Sequence, residues 1–183
     1  MDFSRRKKLI WILGIVFLAV PIGVTASWLV TQSMIEATSD VEFCGGCHSM
    51  KPVAAAYRED VHGGNNSHGV QVKCSECHLP HNNNLVYLVA KGYTGMKDVF
   101  AELTYADSVD WEAKRNERER YVYDSGCLTC HSNLANAEIN NELGVLAHQK
   151  YFAGRIDRQC VSCHINVGHK DLSRHRSAAQ TGS

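Results

Sequence analysis

From Leu9 to Val30 the chain runs 22 residues without a charge, directly after the basic cluster Arg5-Arg6-Lys7-Lys8. A helix rising about 1.5 Å per residue would make this run roughly 33 Å long, close to the thickness of a hydrocarbon core. The pattern predicts one membrane span over residues 9–30. Its basic flank, residues 1–8, is expected in the cytoplasm, with the rest of the chain on the other side. Trp11 and Trp28 fall near the two ends, at the depth indoles prefer, and Gly14, Pro21 and Gly23 are tolerated in such helices. A cleaved secretory signal ending at Val24-Thr25-Ala26 is the competing reading, but the apolar run is longer than a usual signal core. Either way the remainder is exported.

Beyond residue 30 the periodicity is that of short helices and loops. Leu85 to Tyr105 reads as an amphipathic helix loosened by Gly92 and Gly95. Glu112 to Arg120 carries mixed charges at helical spacing, the mark of a solvated helix face. His62-Gly-Gly-Asn-Asn-Ser-His68-Gly is a loop, and no stretch shows the alternation of a strand. Residues 173–183 read as a flexible tail. The expected fold is mainly α: one transmembrane helix and a small domain over 31–172.

The chain has 183 residues, about one domain, and its 19 basic and 19 acidic residues cancel. That balance gives no overall pull toward nucleic acid. Aromatic residues make up 8%, and the exported part has few long apolar runs, so its side chains alone would bury a poor core.

The cysteines supply the missing apolar surface. All eight fall in four Cys-x-x-Cys-His motifs: Cys44/Cys47/His48, Cys74/Cys77/His78, Cys127/Cys130/His131 and Cys160/Cys163/His164. Two cysteines at this spacing form thioethers to the vinyl groups of one porphyrin, and the following His lies under the iron; this is the attachment signature of c-type haem. Structural zinc does not require a His after every second Cys, and disulfides do not require a repeated two-residue gap. Four covalently bound haems are therefore expected, stacked as the core of the domain, which would be largely unfolded without them.

The motifs begin at 44, 74, 127 and 160: two close pairs with a longer link, which suggests two pseudo-repeats over about 42–85 and 121–170. His62 and His148 each lie twelve residues before the last motif of their half, and His81 and His169 each follow that motif. With His68 and His175 these are the non-motif histidines from which second axial ligands are drawn. Bis-His ligation keeps potentials low, and Met ligation raises them. Met50, two residues after His48, is too close to reach the opposite face of the same porphyrin. If it binds iron, it displaces His48 on the same side and leaves the other face open.

Phe43-Cys-Gly-Gly-Cys-His-Ser-Met50, Cys77-His-Leu-Pro-His81 and Val161-Ser-Cys-His-Ile-Asn-Val-Gly-His169 resemble the NapC/NirT/NrfH family of membrane-anchored tetrahaem quinol dehydrogenases, across nearly the whole chain. The resemblance implies that haem 1 uses Met50, with a nearby Asp on its distal side. It implies a quinol site beside that haem at the membrane surface, with Lys91 and Asp98 matching the family's Lys and Asp. It also implies His62, His148 and His169 as distal ligands, giving three bis-His haems. The segment between His62 and Cys74 is one residue longer than in the family and contains His68, which leaves His68 as the alternative to His62; His81 is the other alternative ligand.

Quinol oxidation releases two electrons and two protons, so a proton acceptor must stand beside the electron acceptor. Asp98 can take a proton if partial burial raises its pKa, and Lys91 can hold a quinol oxygen. The expected function is oxidation of menaquinol or ubiquinol in the bacterial inner membrane, with electrons passed from the periplasmic haem domain to a redox enzyme or cytochrome. The chain would act as a homo-oligomer or with a catalytic subunit. Flow in reverse, into the quinone pool, and direct reduction of a small ligand at haem 1 are the alternatives.

Overall fold

A computed structural model describes residues 3–136 and 141–175. These divide into two compact units, with the break between Ser39 and Asp40. The first is helix α1, Phe3–Ala37, the one described helix long and apolar enough to cross a membrane. At about 1.5 Å per residue it spans roughly 52 Å, longer than a bilayer core. The helix thus continues past the apolar run, and the break between units follows Ser39 rather than Val30. Pro21 is accommodated inside it, and the hydroxyls of Thr31 and Ser33 donate back to the carbonyls of Ser27 and Leu29, each at 2.9 Å.

The second unit is built of short helices: α2 (Val41–Cys44), α3 (Lys51–Arg58), α4 (Cys74–His78), α5 (Asn84–Tyr105), α6 (Trp111–Asn116), α7 (Asp124–Cys130), α8 (Glu142–Phe152) and α9 (Cys160–Cys163). Among the described residues there is no strand, only an isolated bridge between Gly63 and Gln71. The helix starts are set by capping side chains. Asp40, Asn83, Asp110 and Asn141 each accept a hydrogen bond from a backbone N–H of the first turn. Gly154, at φ 67°, takes the left-handed turn after α8 that a side chain would resist.

One expected element comes out differently. The charged segment Glu112–Arg120 is not one helix: α6 stops at Asn116, and a 3-10 turn follows over Arg118–Arg120. Of the expected tail, residues 173–175 are described. Residues 172–175 form a helical turn, Leu172 is 1% exposed, and His175 Nε2 lies 3.3 Å from Glu59. The rest of the tail, 176–183, and residues 1 and 2 of the basic flank lie outside the described residues.

The polypeptide buries little. Two small clusters stand out: Val41, Ala54 and Tyr57, and Val53, Ala56 and Leu172 with Met50 and Trp111 against them. Leu85, Met96, Leu103 and Leu143 are each more than 70% exposed. Apolar surface of that extent needs a partner other than the chain's own side chains.

Candidate functional site

At spacing i and i+3, two cysteines share one helix face, with the following His at the end of the turn. Three motifs use this directly on α4, α7 and α9. The first differs: α2 ends at Cys44, and Gly45 and Gly46 carry the chain through a turn. None of the eight cysteines is paired in a disulfide.

The motifs meet in order along the chain. The Cys44 and Cys74 thiols are within side-chain hydrogen-bonding reach of each other, and so are those of Cys127 and Cys160. Between these couples, Cys77 feels the charges of Cys127 and Cys130. The Tyr123 N–H donates to the Cys77 carbonyl at 3.0 Å, and the His81 N–H donates to Ser125 Oγ at 2.9 Å. Gly126 makes the close approach of α7 to α4 necessary: a Cβ there would stand 1.7 Å from the Glu76 carbonyl oxygen. Asp124 joins the last two motifs, accepting from the Cys160 N–H at 2.9 Å and from the Tyr151 hydroxyl at 2.6 Å.

Six histidines meet as three couples. Ring centroids are 6.1 Å apart for His78 and His169, 6.2 Å for His62 and His131, and 6.1 Å for His148 and His164. With metal–nitrogen bonds of about 2.0 Å and about 1.1 Å from nitrogen to ring centre, one metal between two imidazoles separates their centroids by about 6.2 Å. Distance alone does not mark these couples, since Tyr57 and His169 are also 6.2 Å apart. What marks them is composition: each holds one motif His and one non-motif His, and no His is used twice.

The nitrogens agree. Nδ1 of His78 donates to the Tyr121 carbonyl at 2.8 Å, Nδ1 of His169 to the Val53 carbonyl at 3.2 Å, and Nδ1 of His62 faces Asp60 Oδ1 at 3.1 Å. Each bond leaves Nε2 with its lone pair for a metal. Among the described residues no three His, Cys, Asp or Glu side chains converge on one point. Two protein ligands per metal is the number a porphyrin iron leaves open, so the residues fit haem and do not fit a protein-built zinc cage.

His81 and His68 are engaged elsewhere. His81 Nε2 lies 3.2 Å from the Ser75 carbonyl and 3.7 Å from Glu76, and its ring packs on Tyr87. His68 is exposed in the loop, its N–H on Asn66 Oδ1 at 2.9 Å. The two halves are therefore not equivalent: His148 meets the motif of its own half, whereas His62 and His169 each meet a motif of the other half.

The first motif stands apart. His48 is exposed, with Nε2 3.6 Å from Asp107, and has no imidazole partner among the described residues. Met50 packs against the cluster of Val53, Ala56 and Leu172. The segment between them is held by a residue the sequence reading passed over. The Glu102 carboxylate accepts from the His48 N–H at 2.5 Å and from the Ser49 hydroxyl at 2.6 Å, while Trp111 donates to the Ser49 carbonyl at 2.8 Å. Ser49 draws the Glu102 pKa below its ordinary value. Lys91, Gly95, Asp98 and Glu102 share one face of α5, a spacing that was visible in the sequence.

Lys91 and Asp98 both face this motif: Cys44 feels the charges of both, and Cys47 that of Asp98. Asp98 sits 3.8 Å from Lys97, and its side chain is 71% exposed. Desolvation by the surrounding protein pushes its carboxyl above the usual range, against the pull of Lys97 and His78.

Comparison with known proteins agrees with this geometry. The sequence profile of the NapC/NirT cytochrome c family, N-terminal region, matches residues 5–174. The chain is 30% identical to the cytochrome c-type protein TorC of Escherichia coli (strain K12), over 91% of this chain but 44% of that protein, so it spans less than half of that relative. It is also 30% identical to the tetraheme c-type cytochrome CymA of Shewanella oneidensis, over 86% of this chain and 90% of CymA. The fold superposes on a chain of the cytochrome c nitrite reductase NrfHA complex bound to the HQNO inhibitor, with a TM-score of 0.54, 27% identity and coverage of 85% of this chain and 90% of the other. With four attachment motifs in order and three imidazole couples at metal-bridging distance, the chain belongs to the NapC/NirT cytochrome c family.

Proposed function

We propose that the chain is a membrane-anchored tetrahaem cytochrome c that oxidises quinol and hands the electrons to a periplasmic redox enzyme. The observation that carries this is the set of three His couples at 6.1–6.2 Å, each containing a motif His. The eight cysteines form the thioethers. His78 with His169, His131 with His62, and His164 with His148 are the axial pairs of haems 2, 3 and 4. Met50 is the ligand of haem 1 in place of His48, as the family resemblance implies, and Glu102 holds the backbone between the two. Bound at these sites, the four haems supply one-electron redox change at iron.

The residues around haem 1 handle the protons. Lys91 holds a quinol oxygen, and Asp98, exposed to water with its carboxyl pKa raised, accepts a proton and releases it to solvent. The apolar helix α1 fits a single-pass anchor, and its basic flank favours a cytoplasmic N-terminus with the redox domain in the periplasm. The partner is a periplasmic oxidoreductase, as complex formation by the NrfHA relative suggests.

Mixing the purified tetrahaem protein with a reduced menaquinol analogue tests the reading. Rapid reduction, and loss of that reduction when Asp98 becomes Asn, supports it. Turnover of nitrite or another small ligand without any quinol or partner would replace it with direct chemistry at haem 1, and faster quinone reduction than quinol oxidation would reverse the direction.

A further inference from the structure

The three non-motif imidazoles differ in what stands behind them. The His169 Nδ1 meets a neutral carbonyl, that of Val53, at 3.2 Å. The His148 Nδ1 is buried with no hydrogen-bond partner among the described residues. Behind His62 stands a carboxylate: Asp60 Oδ1 lies 3.1 Å from Nδ1 and also accepts the His62 backbone N–H at 2.9 Å. Asp60 is 8% exposed, and its place is fixed from several sides. Its N–H donates to the Tyr57 carbonyl at 2.9 Å, and its own carbonyl accepts from Gly63 at 3.0 Å and Asn65 at 3.2 Å. The Tyr57 hydroxyl in turn donates to the His62 carbonyl at 2.8 Å. The carboxylate is thus held on Nδ1, which leaves Nε2 for a metal.

A buried carboxylate accepting the Nδ1 proton draws that proton toward itself and makes Nε2 a stronger donor. The effect is larger in a low-dielectric surrounding than in water. A stronger donor and a nearby negative charge both favour the ferric over the ferrous ion. Resting on the axial assignment of His62 and His131 made above, we infer that Asp60 is a positioning residue that makes haem 3 the hardest to reduce of the three bis-imidazole haems. Because the motifs touch in chain order, haem 3 lies between haems 2 and 4. Asp60 therefore sets a low point in the middle of the conduction path.

The test is a spectrally resolved redox titration of the tetrahaem protein and its variants. In Asp60→Asn the ring keeps an acceptor but loses the charge. The expected result is four attached haems, the three bis-imidazole ones still low-spin, with the midpoint potential of one of them moved upward further than any other. Four unmoved potentials overturn the proposal. The axial assignment has its own control: His62→Met must perturb the signal of one bis-imidazole haem, and if all three signals persist, it is the assignment that fails. Should Asp60→Asn not accumulate with four haems, the native protein carries the test. The haem whose signal His62→Met changes must titrate lowest of the three bis-imidazole haems, and a higher place overturns the inference.

Discussion

The imidazoles of His148 and His164 stand face to face, centroids 6.1 Å apart and planes 8° from parallel. The planes of His62 and His131 cross at 62°. Parallel axial planes give a rhombic low-spin ferric signal, and steeply crossed planes give the strongly anisotropic one. Electron paramagnetic resonance should therefore show one haem of each kind. Replacing His148 by Ala should convert the rhombic signal to high spin while the mass still accounts for four haems; loss of the other signal instead would exchange the two assignments.

Asp98 and its raised carboxyl pKa set a pH dependence. A general base must be ionised to act, so quinol oxidation should rise as pH climbs through the Asp98 pKa, which lies above the ordinary 3.8. In Asp98→Asn the rate should fall by about 100-fold and lose this slope, with dithionite reduction unchanged. A variant with the native pH profile would remove Asp98 from the reaction.

Glu102 holds the backbone between His48 and Met50. Glu102→Ala should alter the spectrum of haem 1 alone and slow quinol oxidation. Glu102→Gln, which keeps an acceptor, should restore part of both. Change confined to haems 2–4 would contradict the placement.

His169 is buried, and burial, with His78 nearby, disfavours its protonated form. A neutral ring keeps Nε2 available to iron, so His169→Ala should leave one bis-imidazole haem high-spin at neutral pH while the other two signals persist.

Gly126→Ala would place a methyl group against the Glu76 carbonyl, where α7 crosses α4. The expected cost is about 1–3 kcal/mol from overpacking. It should be read as a lower melting temperature and poorer haem loading at motifs two and three.

Everything that depends on neighbours in the chain was legible. The eight cysteines, the motif histidines, the span and the amphipathic helix over 85–105 follow from spacings of a few residues, which covalent chemistry and helix geometry fix locally. The axial couples were not legible. The apparent duplication puts His62 and His148 in equivalent places, yet His148 meets His164 in its own half while His62 crosses to His131 in the other. That choice is made by how α3, α4 and α7 pack. Glu102 and Asp60 were passed over for the same reason: a carboxylate looks like surface charge until the backbone it caps, or the ring it backs, is seen.

His169 and Leu172, near the end of the described chain, dock onto the α3 region through the Val53 carbonyl and the cluster of Val53 and Ala56. The second attachment motif thus depends on a segment far downstream of it in the chain. A porphyrin joined there would have one protein ligand until that segment folds back onto the α3 region, so complete ligation at this motif reports that the domain has closed.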